Sequence, residues 1–141
     1  MVLGIGEGKL ELALNGNTFS PGQAITGRAK LTLNEPLLAR ELRVEFYGLV
    51  KRGKHADRIH EVRQQLSHER TFRSGESFEF SLAIPADAIS AGHATGILGS
   101  LSQAFAPRPD WFVEASLDMP NKFDINAKTQ VILISRPLGG V

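Results

Sequence analysis

The sequence contains no cysteine in 141 residues, which excludes a disulfide scaffold, thiol catalysis and cysteine-ligated zinc or iron–sulfur chemistry. Charge of one sign is also missing. Sixteen Lys and Arg stand against 15 Asp and Glu, a net charge of +1, so bulk electrostatics give no reason to expect nucleic acid. Aromatics are scarce at 7%, and the basic stretch 51–73 has only Tyr47 and Phe72 at its borders to stack on bases. No apolar run approaches the ~20 residues of a membrane-spanning helix. The opening MVLGIGEGKLELAL lacks a basic segment ahead of an apolar one, unlike a signal peptide. A cytoplasmic protein without stable membrane insertion is the expectation.

What is present suffices for one domain. At 15.4 kDa, with 42% hydrophobic and 22% charged residues, the chain can bury a core without metal or disulfide staples. Gly4, Gly6 and Gly8 superficially suggest a nucleotide loop, but no strand precedes them and no helix follows. Residues 1–8 read instead as a flexible leader, 9–135 as the domain and 136–141 as a tail.

Period-two alternation dominates the domain. Leu10, Leu12 and Leu14 share one face of a first strand, and Asn15-Gly16-Asn17 supplies turn chemistry. Ile25, Gly27, Ala29, Leu31 and Leu33 point inward along a long second run, and Pro36 breaks the ladder at a corner. A single strand is then expected over 38–47, with Leu42, Val44 and Phe46 facing in and Arg43, Glu45 and Tyr47 facing out, and Gly48 reads as a bend. Further on, Phe78, Phe80, Leu82 and Ile84 form one inward face and Trp111, Val113, Ala115 and Leu117 another. The last strand is expected over 123–135, where Ile132 and Ile134 add apolar residues to its second face. Seven or so strands without alternating helices predict an all-β, immunoglobulin-like antiparallel sandwich.

Two stretches break the rhythm. Residues 51–73 hold seven Lys or Arg against three acids, a local +4. They read as an exposed loop and an irregular edge strand, with a helix over 59–66 competing because Ile59, Val62 and Leu66 fit helical spacing. Lys51, Arg52, Lys54 and Arg58 form a basic loop suited to an acidic or phosphorylated partner, since clustered cationic groups make charge-assisted bonds to phosphate. A solvated loop that merely aids solubility is the competing reading. Residues 86–109 read as a long connection with a short helix within 96–105, marked by Ile97, Leu98, Leu101 and Phe105.

Catalytic and metal signatures are missing. His55, His60, His68 and His93 make no HExxH and no compact ligand cluster. No GxSxG elbow occurs, and Asp118 and Asp124 flank a turn, where Asp ordinarily bonds its own backbone. Neither an enzyme nor a cofactor is expected.

The run SPGQAITGRAKLTLNEPLLARELRVEFYG, residues 20–48, resembles the opening of an arrestin-like N-terminal domain through Gly22, Ile25, Gly27, Leu42, Val44, Phe46 and Gly48. WFVEASLDMPNKFD is similar to that family's W-x-V-x-A-x-L-D-x-P segment followed by Asp, with Trp111, Val113, Ala115, Leu117, Asp118, Pro120 and Asp124 in place. Gly75, Phe78, Phe80, Ile84 and Pro85 fit the strand between them. The second segment resembles in particular the bacterial sporulation-control proteins of this fold. The resemblance implies a single arrestin-like lobe and a non-catalytic adaptor or scaffold that binds a protein partner through a sheet edge or the basic loop. Arrestins pair two lobes and this chain has the length of one, so a homodimer is expected, through an edge at Val131, Ile132 and Ile134. A β-sandwich module for a small molecule or carbohydrate is the alternative.

Overall fold

Alternating apolar and polar side chains leave each long strand one face to bury, and two sheets burying those faces against each other satisfy the whole pattern. The computed structural model describes residues 8–88, 108–120 and 124–134. Most of the expected leader, the helix within 96–105 and the tail 136–141 lie outside the described residues. Among the described residues ten strands follow in order: β1 Gly8–Leu14, β2 Thr18–Phe19, β3 Ala24–Leu33, β4 Leu37–Ala39, β5 Glu41–Arg52, β6 His55–Ser67, β7 Arg70–Phe72, β8 Ser77–Ala83, β9 Asp110–Asp118 and β10 Ile125–Leu133. One sheet has the order β1-β3-β8, the other β2-β10-β9-β5-β6, and β4 pairs β7 in a small two-stranded sheet. Every pairing is antiparallel except the two-residue parallel match of β2 with β10. The fold is an all-β, immunoglobulin-like antiparallel sandwich.

Ile25, Leu31 and Leu82 from the smaller sheet are fully buried with Leu42, Val44, Phe46, Val113, Leu117 and Val131 from the larger one. These are the inward positions that alternation marks. Pro36 stands between β3 and β4, as expected of a residue that cannot donate to a ladder.

Two features here differ from the sequence reading. The expected single strand over 38–47 is split at Arg40, whose N–H donates to Asp118 O at 2.7 Å while β4 turns away to pair with β7. The basic loop is not a loop: β5 runs on to Arg52 and β6 begins at His55, leaving Gly53-Lys54 as a two-residue turn. Gly53 has φ 63° and Lys54 is not in the positive region, the type II′ pattern that suits a twisted hairpin. The irregular edge strand expected there is β6, with two bulges, and the competing helix over 59–66 is absent; the helix-like spacing has a geometric cause. Register shifts between Phe46 and Gly48 and between Leu42 and Arg43 each place an extra residue on the β6 side. Ile59, Val62 and Leu66 therefore pack on the core at intervals of three and four although the chain is extended. His60, at φ 53°, occupies the first bulge.

Gly48 is the other correction. It lies inside β5, opposite Trp111 on β9 and Ile59 on β6. The indole stacks on Phe46 with ring centroids 5.4 Å apart and planes 6° from parallel, and to do so it crosses the surface above Gly48. A Cβ there would sit 2.7 Å from Trp111 Cζ3 and 3.0 Å from Ile59 Cγ1. The glycine is required by ring packing rather than by a turn. Gly48→Ala is expected to lower the unfolding free energy by about 1–3 kcal/mol, the usual range for an overpacked core. Urea unfolding followed by the fluorescence of the single Trp would read this as a lower midpoint with an unchanged slope.

Candidate functional site

β5 lies inside the five-stranded sheet between β9 and β6, and side chains from those flanking strands cover its outward residues. Glu45 is 9% exposed and Tyr47 3%. Register places Arg63, Glu45, Glu114 and Lys128 in one row across β6, β5, β9 and β10. Two carboxylates facing each other on adjacent strands repel, and arginines from the hairpin compensate. Arg58 Nη1 lies 3.6 Å from Glu45 Oε2 and 3.6 Å from Glu61 Oε2, and its Nη2 lies 3.4 Å from Glu114 Oε1. The same guanidinium sits 3.8 Å above the Tyr47 ring, a cation–π contact over a ring shielded from solvent. Tyr47 Oη donates to Glu114 Oε1 at 2.9 Å.

A second cluster lies one row along. Arg63 Nη2 donates to Glu41 Oε1 at 2.6 Å, and Gln65 Nε2 donates to Glu41 Oε2 at 2.8 Å. Arg43 reaches Glu41 with Nη1 at 3.4 Å. Its Nε is 3.5 Å from Glu45 Oε1 but poorly aligned, so that buried N–H has no hydrogen-bond partner. These contacts fasten the edge strand β6 to β5 and, through Arg58, to β9.

The structure divides the four basic residues singled out in the sequence. Arg58 belongs to the sheet network and is committed to Glu45, Glu61 and Glu114. Arg52 pairs with Asp57 at 3.2 Å, with both side chains mostly exposed. Lys51 and Lys54 are exposed, and neither has an acidic partner among the described residues. Pairing of β5 with β9 stops at Leu49 opposite Asp110, so the hairpin tip extends past its neighbour and carries these two lysines.

The residues expected at a self-association edge are also separated. Val131 is buried opposite Trp111. The N–H groups of Ile132 and Ile134 donate to Asn17 O and Phe19 O, each at 2.8 Å, so β2 occupies that backbone edge. The Ile132 side chain remains 56% exposed. Nearby, Thr18, Phe19, Ser20, Pro21, Gly22, Gln23 and Ile134 line an open cleft of about 560 Å³. Among the described residues, no group of three or more His, Asp or Glu is arranged to hold a metal. No helix among them is long and apolar enough to cross a membrane.

The Tyr47–Glu45–Glu114–Arg58 cluster escaped the sequence reading. Its one visible signal was the outward alternation of Arg43, Glu45 and Tyr47, which names three members without their partners on β6 and β9. Burial, followed by the hydrogen bond to Glu114 and the charge of that carboxylate, pushes the Tyr47 phenol up from 10.0 to about 12. With the protonated phenol favoured in the folded state, its contribution to stability is full below about pH 10 and fades as pH rises toward about 12. Because Tyr47 is the only tyrosine, ultraviolet titration of the phenolate reads it alone. The expected midpoint is near 12, and Glu114→Gln should move it down toward the ordinary value.

No family model matches the chain, and no curated protein matches it. Among solved structures, Spo0M, a sporulation control protein from Bacillus subtilis, superposes with a TM-score of 0.64 at 16% identity, covering 94% of this chain and 51% of that one. Murine CRIg gives a TM-score of 0.42 at 12% identity, covering 92% of this chain and all of its own. The chain thus spans about half the length of the Spo0M chain. At this identity the likeness to Spo0M shows the fold alone, an arrestin-like sandwich.

Proposed function

We propose that this lobe is a non-catalytic, cytoplasmic adaptor that docks an acidic or phosphorylated segment of a protein partner on the β5–β6 hairpin. One observation carries the reading: among the described residues, Lys51 and Lys54 stand without acidic partners at the end of a hairpin whose base is fastened by Arg58 and Arg63. Cations that a fold needs internally are paired, as Arg58 is, whereas cations left free on a rigid support are available to bind. The arrestin-like fold, shared with the sporulation control protein Spo0M, agrees with a regulatory role without chemistry.

Two further readings rest on separate observations. The cleft beside Gln23 and Ile134 favours the small-molecule or carbohydrate module. The exposed Ile132 favours a homodimer formed through side chains, and light scattering that shows a monomer at micromolar concentration would count against it.

The adaptor reading is tested by affinity capture with the wild-type chain and with Lys51, Arg52 and Lys54 changed to Glu, the bound proteins being quantified in parallel. Specific partners are expected to fall at least about tenfold in the charge-reversed chain, matching the loss of one or two charge-assisted bonds. Equal recovery from both chains would remove the hairpin from the function.

A further inference from the structure

We propose that the far edge of β6, from His55 to Ile59, receives an extended acidic peptide of the partner as an added β-strand. This rests on the docking role of the hairpin and says in what form the partner binds. β6 ends the five-stranded sheet, and among the described residues no strand pairs with its outer side. Which backbone groups are free there follows from the turn. Arg52 and His55 close a two-residue loop and so exchange their backbone hydrogen bonds. The register then runs unshifted through Val50 opposite Asp57 to Gly48 opposite Ile59. The residues in between, Ala56 and Arg58, therefore aim N–H and C=O away from β5. Among the described residues, neither finds a backbone hydrogen-bond partner outside the hairpin ladder.

Side chains around this edge select the occupant. Lys51 is opposite Ala56 on the outer face, and the lone methyl of Ala56 leaves the lysine room to reach across one strand spacing of about 4.8 Å. Arg58 is drawn toward Glu45 and Glu114 and so does not guard the edge. Lys54 sits at the turn itself. A strand laid against Ala56 and Arg58 would thus carry its acidic side chains to Lys51 and Lys54. Main-chain bonds would supply affinity and the alternate side chains specificity.

The bulge at His60 sets the limit of pairing. Beyond it β6 lies against β8, where Gln64 Oε1 accepts the Ser81 N–H at 3.1 Å. Sheet edges are commonly protected by bulges of this kind. Here the bulge confines addition to a short peptide and prevents open-ended pairing.

The probe is a short dye-labelled peptide alternating Glu with Val, followed by fluorescence anisotropy against the full chain. Binding is expected, weakened at least about tenfold by Lys51→Glu with Lys54→Glu and by Ala56→Pro, since each removes bonds worth about that factor. Proline at an outward-facing edge position spares the β5–β6 ladder, and circular dichroism checks that the variant folds. Two peptides N-methylated at alternate amides supply an independent test: one pattern should abolish binding and the other leave it intact, because an added strand pairs along one edge only. If binding is lost with the lysines yet indifferent to Ala56→Pro and to both methylation patterns, strand addition is overturned while docking at the tip stands. Wild-type protein that does not bind the probe overturns the inference, and the affinity capture decides separately whether the adaptor reading survives.

Discussion

The larger sheet depends on a charge problem at its centre. Glu45 and Glu114 are held opposite each other on β5 and β9 with little water to screen them, and like charges directly opposed on a sheet are destabilising. Arg58 answers this from β6 by lying across Tyr47 and reaching both carboxylates. The arrangement couples three strands, since the arginine is useful only if β6 keeps the register that brings it over the ring. Tyr47 takes part by donating to Glu114 and by offering the guanidinium a face. Lateral order in this sheet therefore comes partly from its outer, polar side, with Phe46 and Trp111 stacked beneath it.

That arrangement explains why the tip and the base of one hairpin differ chemically. Arg58 and Arg63 are consumed in holding β6 to its neighbours, and Arg52 is half-satisfied by Asp57. What remains free lies past the end of β9. A two-stranded arm without such fastening would fray, because an isolated hairpin is marginal in water. With its base pinned, the arm presents its lysines with less motion to lose on binding, and lower ordering cost favours affinity.

Much of the fold was legible because period two is a strong signal: Leu42, Val44 and Phe46, and again Val113, Ala115 and Leu117, point inward as their spacing says. Where the reading missed, the cause was an interaction across strands. Gly48 looks like a bend because nothing local shows that an indole from residue 111 lies over it. Ile59, Val62 and Leu66 imitate a helix because two bulges stretch the inward spacing beyond two. Arg58 counts as one of four similar cations until register puts it beside Glu45 and Glu114. Local chemistry gave the charge of 51–58, but pairing alone could divide those residues into structural and free ones.

The same division bears on how a chain of this fold could act without catalytic chemistry. A carboxylate pair on a sheet often suggests acid–base work, but Glu45 and Glu114 are both engaged by Arg58, and Tyr47 is held protonated by burial and by its bond to Glu114. Groups so engaged are poorly placed to exchange protons with a substrate, since every move would cost the pairing that keeps the sheet in register. The chemistry of the outer face is thus spent on rigidity. What the network leaves uncommitted is the pair of lysines at the tip and the backbone edge beside them, and the docking we propose draws on those groups.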